Sequence, residues 1–383
     1  MIRKEYLPFG KPNFSAEEIE AVACVMRSGW VGMGPETIAF EQELSDYVGA
    51  PHVVTVNSCT SALFLSLLVL GVGPGDEVIC PSLTWCSTAN AALYLGAKPI
   101  FCDVDPETLC LTPEHVLAKV TSRTKAVMVV HFGGLAVDVE ELRATLPRGI
   151  SVIEDAAHAL AARFSNGKPV GSSGNLTCFS FYGNKNLSTG EGGAIALFED
   201  SLAERLQSLR QHGLPSDAWK RFSHPRALLT GELCELGYKM NYTDLQASIG
   251  RIQLKRQAEF NNTRFTVASH YYERLRAITP SLCFQSGILN PNHARHLFEV
   301  ILPVENMKLT RDDLLLALRS HNIGASIHYR PLHTMPLYCQ KFPQQLPNTD
   351  WLYNRIMTLP TSASMNLDDA DYVVAKLIEL IIK

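Results

Sequence analysis

Two hydrophobic patterns alternate along the first two thirds of the chain. Short runs that are apolar at nearly every position, and rich in β-branched residues, occur at 52–56, 77–80, 99–104, 126–131, 151–154, 177–181 and 193–197. Before and between them lie longer stretches whose apolar positions return with helical spacing, such as 36–48 and 61–70. Runs apolar throughout fit strands buried on both faces. Strands separated by helices predict crossover units and a mainly parallel sheet. The turn Gly73-Pro74-Gly75-Asp76 closes one of these helices.

Beyond Arg251 the pattern changes. Residues 252–275 read as one long amphipathic helix. A strand at 296–302, a helix at 310–321, a strand at 325–329 and a last helix at 367–382 follow. The prediction is an α/β large domain over 13–250 and a smaller α+β C-terminal domain over 251–383. Residues 1–12 are too few to fold alone and are expected to pack on the second domain.

Composition narrows the classes. The chain has 383 residues, 46% hydrophobic and 19% charged, which excludes a disordered or fibrous protein. The net charge is −4 and no Lys/Arg block occurs, so nucleic acid and anionic membrane are poor partners. No signal-peptide core opens the sequence, and the longest apolar stretch, 62–72, is too short to span a bilayer. Ten cysteines are scattered without a CxxC pair, which argues against a thiolate metal site. Most of the ten, which include Cys234, sit in apolar runs, and such runs suit the reduced thiols of a cytoplasmic protein.

Three predicted strands end in polar groups, at the edge where open α/β sheets bind ligands. The first runs into Asn57-Ser58-Cys59-Thr60-Ser61 and then an apolar helix. The amides of Cys59 and Thr60 at that positive helix end suit a phosphate. Ser58 or Thr60 serving only as an N-cap is the alternative. The second ends in Glu154-Asp155-Ala-Ala-His158. A carboxylate at the tip of a buried strand needs a cationic partner, unless Asp155 is merely an N-cap. The third, Ser180-Phe-Tyr-Gly-Asn-Lys185-Asn, returns through Gly190-Glu-Gly-Gly193. Its lysine is either a surface residue or an amine whose pKa burial lowers for Schiff-base work. Lysine, aspartate and phosphate-binding hydroxyls at strand ends are together what pyridoxal 5′-phosphate requires.

At these residues the chain resembles the DegT/StrS family of pyridoxal-phosphate sugar aminotransferases. The similarity runs from Ser28-Gly-Trp-Val-Gly-Met-Gly-Pro35 through Pro81-Ser-Leu-Thr-Trp85, Asp103-Val-Asp105 and the three segments above, to Gly237-Tyr-Lys-Met-Asn241 and His328-Tyr329. The branch it most resembles acts on UDP-4-keto sugars, as in making UDP-4-amino-4-deoxy-L-arabinose. The resemblance implies fold type I, with a seven-stranded large domain, a small C-terminal domain and a homodimer whose active sites lie at the interface. It implies that Lys185 holds the cofactor covalently and moves the proton, and that Asp155 pairs with the ring nitrogen. It further implies that Trp85 stacks on the ring, unless Trp85 is a core aromatic. Ser58, Cys59, Thr60 and Ser180 are implied at the phosphate, His158 near the ring hydroxyl, and Asn241 at the phosphate from the second subunit. Trp30, His328, Tyr329, Arg330 and His333 are the implied contacts to substrate. For the last four, a strand end with solvated charges is the alternative.

The implied reaction passes an amino group from glutamate or glutamine to a nucleotide-linked keto sugar by a ping-pong route. The stretch 131–138 and the pair Tyr182-Gly183 depart from the family's usual residues and flank the expected sugar pocket. They leave open a 3-keto sugar or an inosose. Retention of Lys185 argues against the family's dehydratase branch, and Lys185, Asp155 and Ser180 together argue against a non-catalytic regulatory protein.

Overall fold

The computed structural model describes residues 3–214, 233 and 235–382; Cys234 lies outside them. Among the described residues the large sheet has seven strands: β1 (His52–Val56), β2 (Glu77–Pro81), β3 (Lys98–Cys102), β4 (Thr124–Val130), β5 (Ser151–Asp155), β6 (Leu176–Ser180) and β7 (Gly193–Leu197). Their order is β1-β7-β6-β5-β4-β2-β3. The pairings among β2 to β6 are parallel, while β7 is antiparallel to both β6 and β1. Two reversals turn β1 back to the direction of β6. The carboxyl ends of β1 to β6 therefore share one edge of the sheet.

Alternation along each strand feeds two cores. In β4, Val127 and Val129 face a core with Phe40, Leu44 and Leu142, and Ala126 and Met128 face another with Leu63, Leu67 and Leu206. Helices Pro35–Val48, Val139–Thr145 and Asp244–Lys255 supply the first layer. Helices Cys59–Val69, Cys86–Tyr94 and Asp200–Leu209 supply the second. Helix Cys59–Val69 is buried on nearly all sides, which explains its unbroken apolar run. Five described cysteines (Cys59, Cys80, Cys102, Cys110 and Cys178) are buried free thiols, whereas Cys24, Cys283 and Cys339 are exposed.

A smaller antiparallel sheet, in the order β10-β9-β8, contains β8 (Cys283–Phe284), β9 (Phe298–Ile301) and β10 (Ile356–Leu359). It shares a core with helices Gln257–Ile278, Arg311–Ser320 and Leu367–Ile382. Leu7 joins that core and bridges Ile323, and Arg3 pairs with Asp369.

Two predicted elements differ. The single helix at 252–275 is two helices, Asp244–Lys255 and Gln257–Ile278, parted at Arg256. Thr243 and Gln246 form a capping box that starts the first one earlier. Arg256 breaks the run with φ −90° and ψ 3° while its guanidinium reaches Glu18 and the Asn13 carbonyl. The strand at 325–329 is reduced to one bridge, Ser326 to Thr358. A pleated strand would send the neighbours His328 and Tyr329 to opposite faces, but both side chains line one cavity.

Candidate active site

Five strand ends converge on a cavity of about 480 Å³. Ser58–Thr60 follow β1, Thr84 and Trp85 follow β2, Val130 ends β4, Asp155 ends β5 and Ser180 ends β6. Lys185, five residues beyond Ser180, opens onto the same space with His158, His328 and Tyr329.

The return strand closes tightly over the helix start. A Cβ on Gly193 would stand 2.6 Å from the Cys59 amide nitrogen and 2.8 Å from the Phe179 carbonyl, so only glycine fits there. Ser58 is the N-cap, its Oγ accepting the Ser61 amide at 3.1 Å. Thr60 lies inside the helix with its Oγ1 2.7 Å from Ser87 Oγ. The amides of this first turn lack intrahelical acceptors and point toward the cavity end of the helix.

Asp155 is the last strand residue, and no helix begins there, so the N-cap alternative falls. Its Oδ2 accepts the Thr88 hydroxyl at 2.8 Å and its Oδ1 accepts the Ala157 amide at 3.2 Å. Burial raises the carboxyl pKa, and the Thr88 and Ala157 hydrogen bonds and Lys185 hold it back. At Lys185 burial pushes the ammonium down to about 8 against the pull of Asp155 and Cys59. An amine with that value is free to react near neutral pH.

His158 is buried, and burial, with Lys185 and His328 nearby, pushes its pKa well down. The neutral ring accepts the Gly133 amide at Nδ1 (3.3 Å), which assigns its proton to Nε2. Nε2–H then donates to the Tyr329 hydroxyl at 3.0 Å. Trp85 is 61% exposed and tilts against Tyr329 at 5.8 Å, so it is no core aromatic.

Other expected residues lie elsewhere in this chain. The Asn241 side chain donates to the Tyr242 carbonyl at 3.2 Å and does not line the cavity. Trp30 donates from Nε1 to the Met33 carbonyl at 3.0 Å, also outside it. Arg330 is exposed, with its guanidinium 3.4 Å from Thr334. His333 is buried, with Nδ1 2.7 Å from Ser82 Oγ and Nε2 3.1 Å from Asp350. Both ring nitrogens being taken, His333 anchors its loop to the end of β2 and does not line the cavity.

Sequence reasoning missed Thr88, Ser87 and Glu191. The hydroxyl-rich run Ser82 to Thr88 after a strand end was the available signal for the first two. Glu191 enters through the glycine-rich return and carried none beyond that.

The model of the DegT/DnrJ/EryC1/StrS aminotransferase family matches residues 12–378. The chain belongs to that family. It is 41% identical over 377 residues to the spore coat polysaccharide biosynthesis protein SpsC of Bacillus subtilis, covering 97% of this chain and 96% of SpsC. The aminotransferase TlmJ of Streptoalloteichus hindustanus has the same fold, with a TM-score of 0.89 and 32% identity over 98% of each chain. Spr1654 of Streptococcus pneumoniae, in its PLP form, superposes with a TM-score of 0.88 and 26% identity over 98% of each chain.

The family is one of PLP-dependent aminotransferases, and the donor set here fits that cofactor. Lys185 offers an amine of lowered pKa, and Asp155 a buried carboxylate with no Arg or Lys hydrogen-bonded to it among the described residues. The helix start at Cys59 and Thr60, with Ser180, offers phosphate ligands. When bound, the cofactor supplies an electron sink for a carbanion. Asp155 would hold a proton on the ring nitrogen, Trp85 would cover one ring face, and Lys185 would carry the proton between donor and acceptor carbons.

Proposed function

We propose that this protein transfers an amino group from L-glutamate or L-glutamine to the keto carbon of a nucleotide-linked sugar, a UDP-4-keto sugar. One observation carries the reading: a lysine of lowered pKa, a buried aspartate and a helix start suited to a phosphate share one cavity at the sheet edge. The similarity to SpsC, a polysaccharide biosynthesis protein, supports a sugar acceptor. The motifs Thr84-Trp85 and His328-Tyr329 support the 4-keto branch.

In this reading the working unit is a cytoplasmic homodimer. Asn241 reaches the cofactor phosphate of the neighbouring subunit, and Trp30 and Arg330, also outside the cavity of their own chain, are its candidate contributors to the sugar-nucleotide side. His328 and Tyr329 face the sugar. A panel of UDP-, dTDP- and GDP-linked 4-keto sugars, offered with each amino donor and scored by product mass, tests the proposal. Amination of the UDP-4-keto sugars supports it. Amination of only a 3-keto sugar or an inosose overturns the substrate assignment, and no change in the visible spectrum on adding either amino acid overturns the reaction.

A further inference from the structure

Glu299 lies in the middle of β9, fully buried, on the face that its partner strand β10 covers with Thr358. Both carboxyl oxygens stand within reach of one hydroxyl: Thr358 Oγ1 is 3.0 Å from Oε1 and 2.8 Å from Oε2. No cation pairs with Glu299 among the described residues. On its other side the same Oγ1 lies 2.7 Å from His328 Nδ1. His328 lines the cavity, and its remaining nitrogen, Nε2, has no protein hydrogen-bond partner among the described residues.

A hydroxyl has one proton, and Thr358 is the only hydrogen-bond partner of the Glu299 carboxyl among the described residues, so two arrangements leave no proton of this row unshared. If the carboxyl is protonated, it donates to Thr358, Thr358 donates to Nδ1, and the ring proton of His328 sits on Nε2. If the carboxyl is ionised, Thr358 donates to it, Nδ1–H donates to Thr358, and Nε2 presents a lone pair. His328 is neutral in either case, because burial and the nearby Lys185 push it down to about 3. We infer that Glu299 is a positioning residue that sets the His328 tautomer through the Thr358 hydroxyl, and that with its carboxyl protonated it makes the cavity edge of His328 a hydrogen-bond donor. On the function proposed above, that donor meets the ketone oxygen of the acceptor; in the other tautomer the ring could only accept.

Burial pushes the Glu299 carboxyl up to about 8, against the Thr358 hydrogen bond. Below that pH the carboxyl is protonated and Nε2–H faces the cavity, and above it the ring proton moves to Nδ1. The other ionisable groups that act on this row are Tyr329, which feels Glu299, and Lys185, His158 and His296 around His328. Lys185 titrates near the same pH, so activity alone cannot read the switch.

The direct readout is the ring-nitrogen shifts of His328 in the full chain carrying ¹⁵N-histidine, with and without cofactor, between about pH 6 and about pH 10. His328→Gln assigns the signal. Wild type should move from Nε2–H to Nδ1–H as pH rises through about 8. Glu299→Gln, whose amide can donate to Thr358 but cannot ionise, should stay Nε2–H throughout. Thr358→Val should uncouple His328 from pH even if Glu299→Gln fails to fold. The ratio of Glu299→Gln to wild-type rates in the ketone-consuming half-reaction should rise about tenfold from low to high pH, the value of one hydrogen bond. A wild-type His328 that keeps one tautomer over the range, or a switch that persists in either variant, overturns the inference. The nitrogen shifts need no substrate, so a failure of the proposed function leaves this test intact.

Discussion

Thr88, in the first turn of the helix that follows β2, donates its hydroxyl to Asp155 Oδ2 at the tip of β5, 2.8 Å away. The Thr84 hydroxyl, just before the helix, stands 2.9 Å behind it, so two threonines line up on one carboxylate. The buried Asp155 carboxylate is thereby held by a neighbour 67 positions away in sequence.

Thr88→Val keeps the shape of that side chain and removes the donor. A buried carboxylate oxygen then loses a partner, which costs about 1–3 kcal/mol. The Asp155 pKa rises further, because the hydrogen bond that opposes burial is gone. Cofactor should dissociate on the order of tenfold faster, as read by absorbance during dialysis, with the fold intact by circular dichroism. Unchanged retention would remove Thr88 from the site.

The lowered pKa of Lys185 has its own signature. Only the free amine attacks an aldehyde, so the rate of cofactor uptake by apoprotein should climb with pH and level off above about 8. A lysine at the ordinary value of 10.5 would go on climbing through that range. Borohydride reduction followed by peptide mapping should place the label on Lys185. Label on Lys168 or Lys239, or a rate still rising steeply beyond pH 9 or so, would contradict the assignment.

What the sequence made legible follows from how many neighbours each feature needs. The seven strands of the large sheet are buried on both faces, so their own residues carry the signal. Strand β8 is two residues long, too short for any periodicity to register. Lys185, Asp155 and Ser180 stood out because each ends or follows a strand. Thr88 and Glu299 did not, since their meaning lies in partners brought close only by the fold. Glu299 sits in an apolar run whose other positions read as core, and nothing local separates it from a mispatterned surface residue.

Tyr329→Phe probes the other histidine. The ring packing against Trp85 and Phe132 survives, but the buried Nε2–H of His158 loses its acceptor. The expected cost is about 1–3 kcal/mol of stability, seen as a lower Tm of the apoprotein. His158→Ala removes the orphaned donor, so adding Tyr329→Phe to that background should cost less than it does alone. Equal costs in both backgrounds would mean that the 3.0 Å contact carries no energy.

Asn241 allows a test of the assembly itself. It lies just before the helix Asp244–Lys255 and outside the cavity of its own chain, and it is proposed to reach the neighbour's cofactor phosphate. Asn241→Asp should repel that phosphate and weaken cofactor binding, because like charges at contact disfavour each other. Lys185→Ala should be inactive for the separate reason that no amine remains. When the two variants are mixed and subunits exchange, each mixed dimer has one site with both lesions and one with neither, provided that Asn241 acts across the interface. Activity should then reappear, up to about half that of wild type per mixed dimer. If Asn241 serves its own subunit, every site stays damaged and mixing restores nothing. Differently tagged subunits, copurified before the assay, establish that exchange has occurred, so a silent mixture would count against the shared site and not against the mixing.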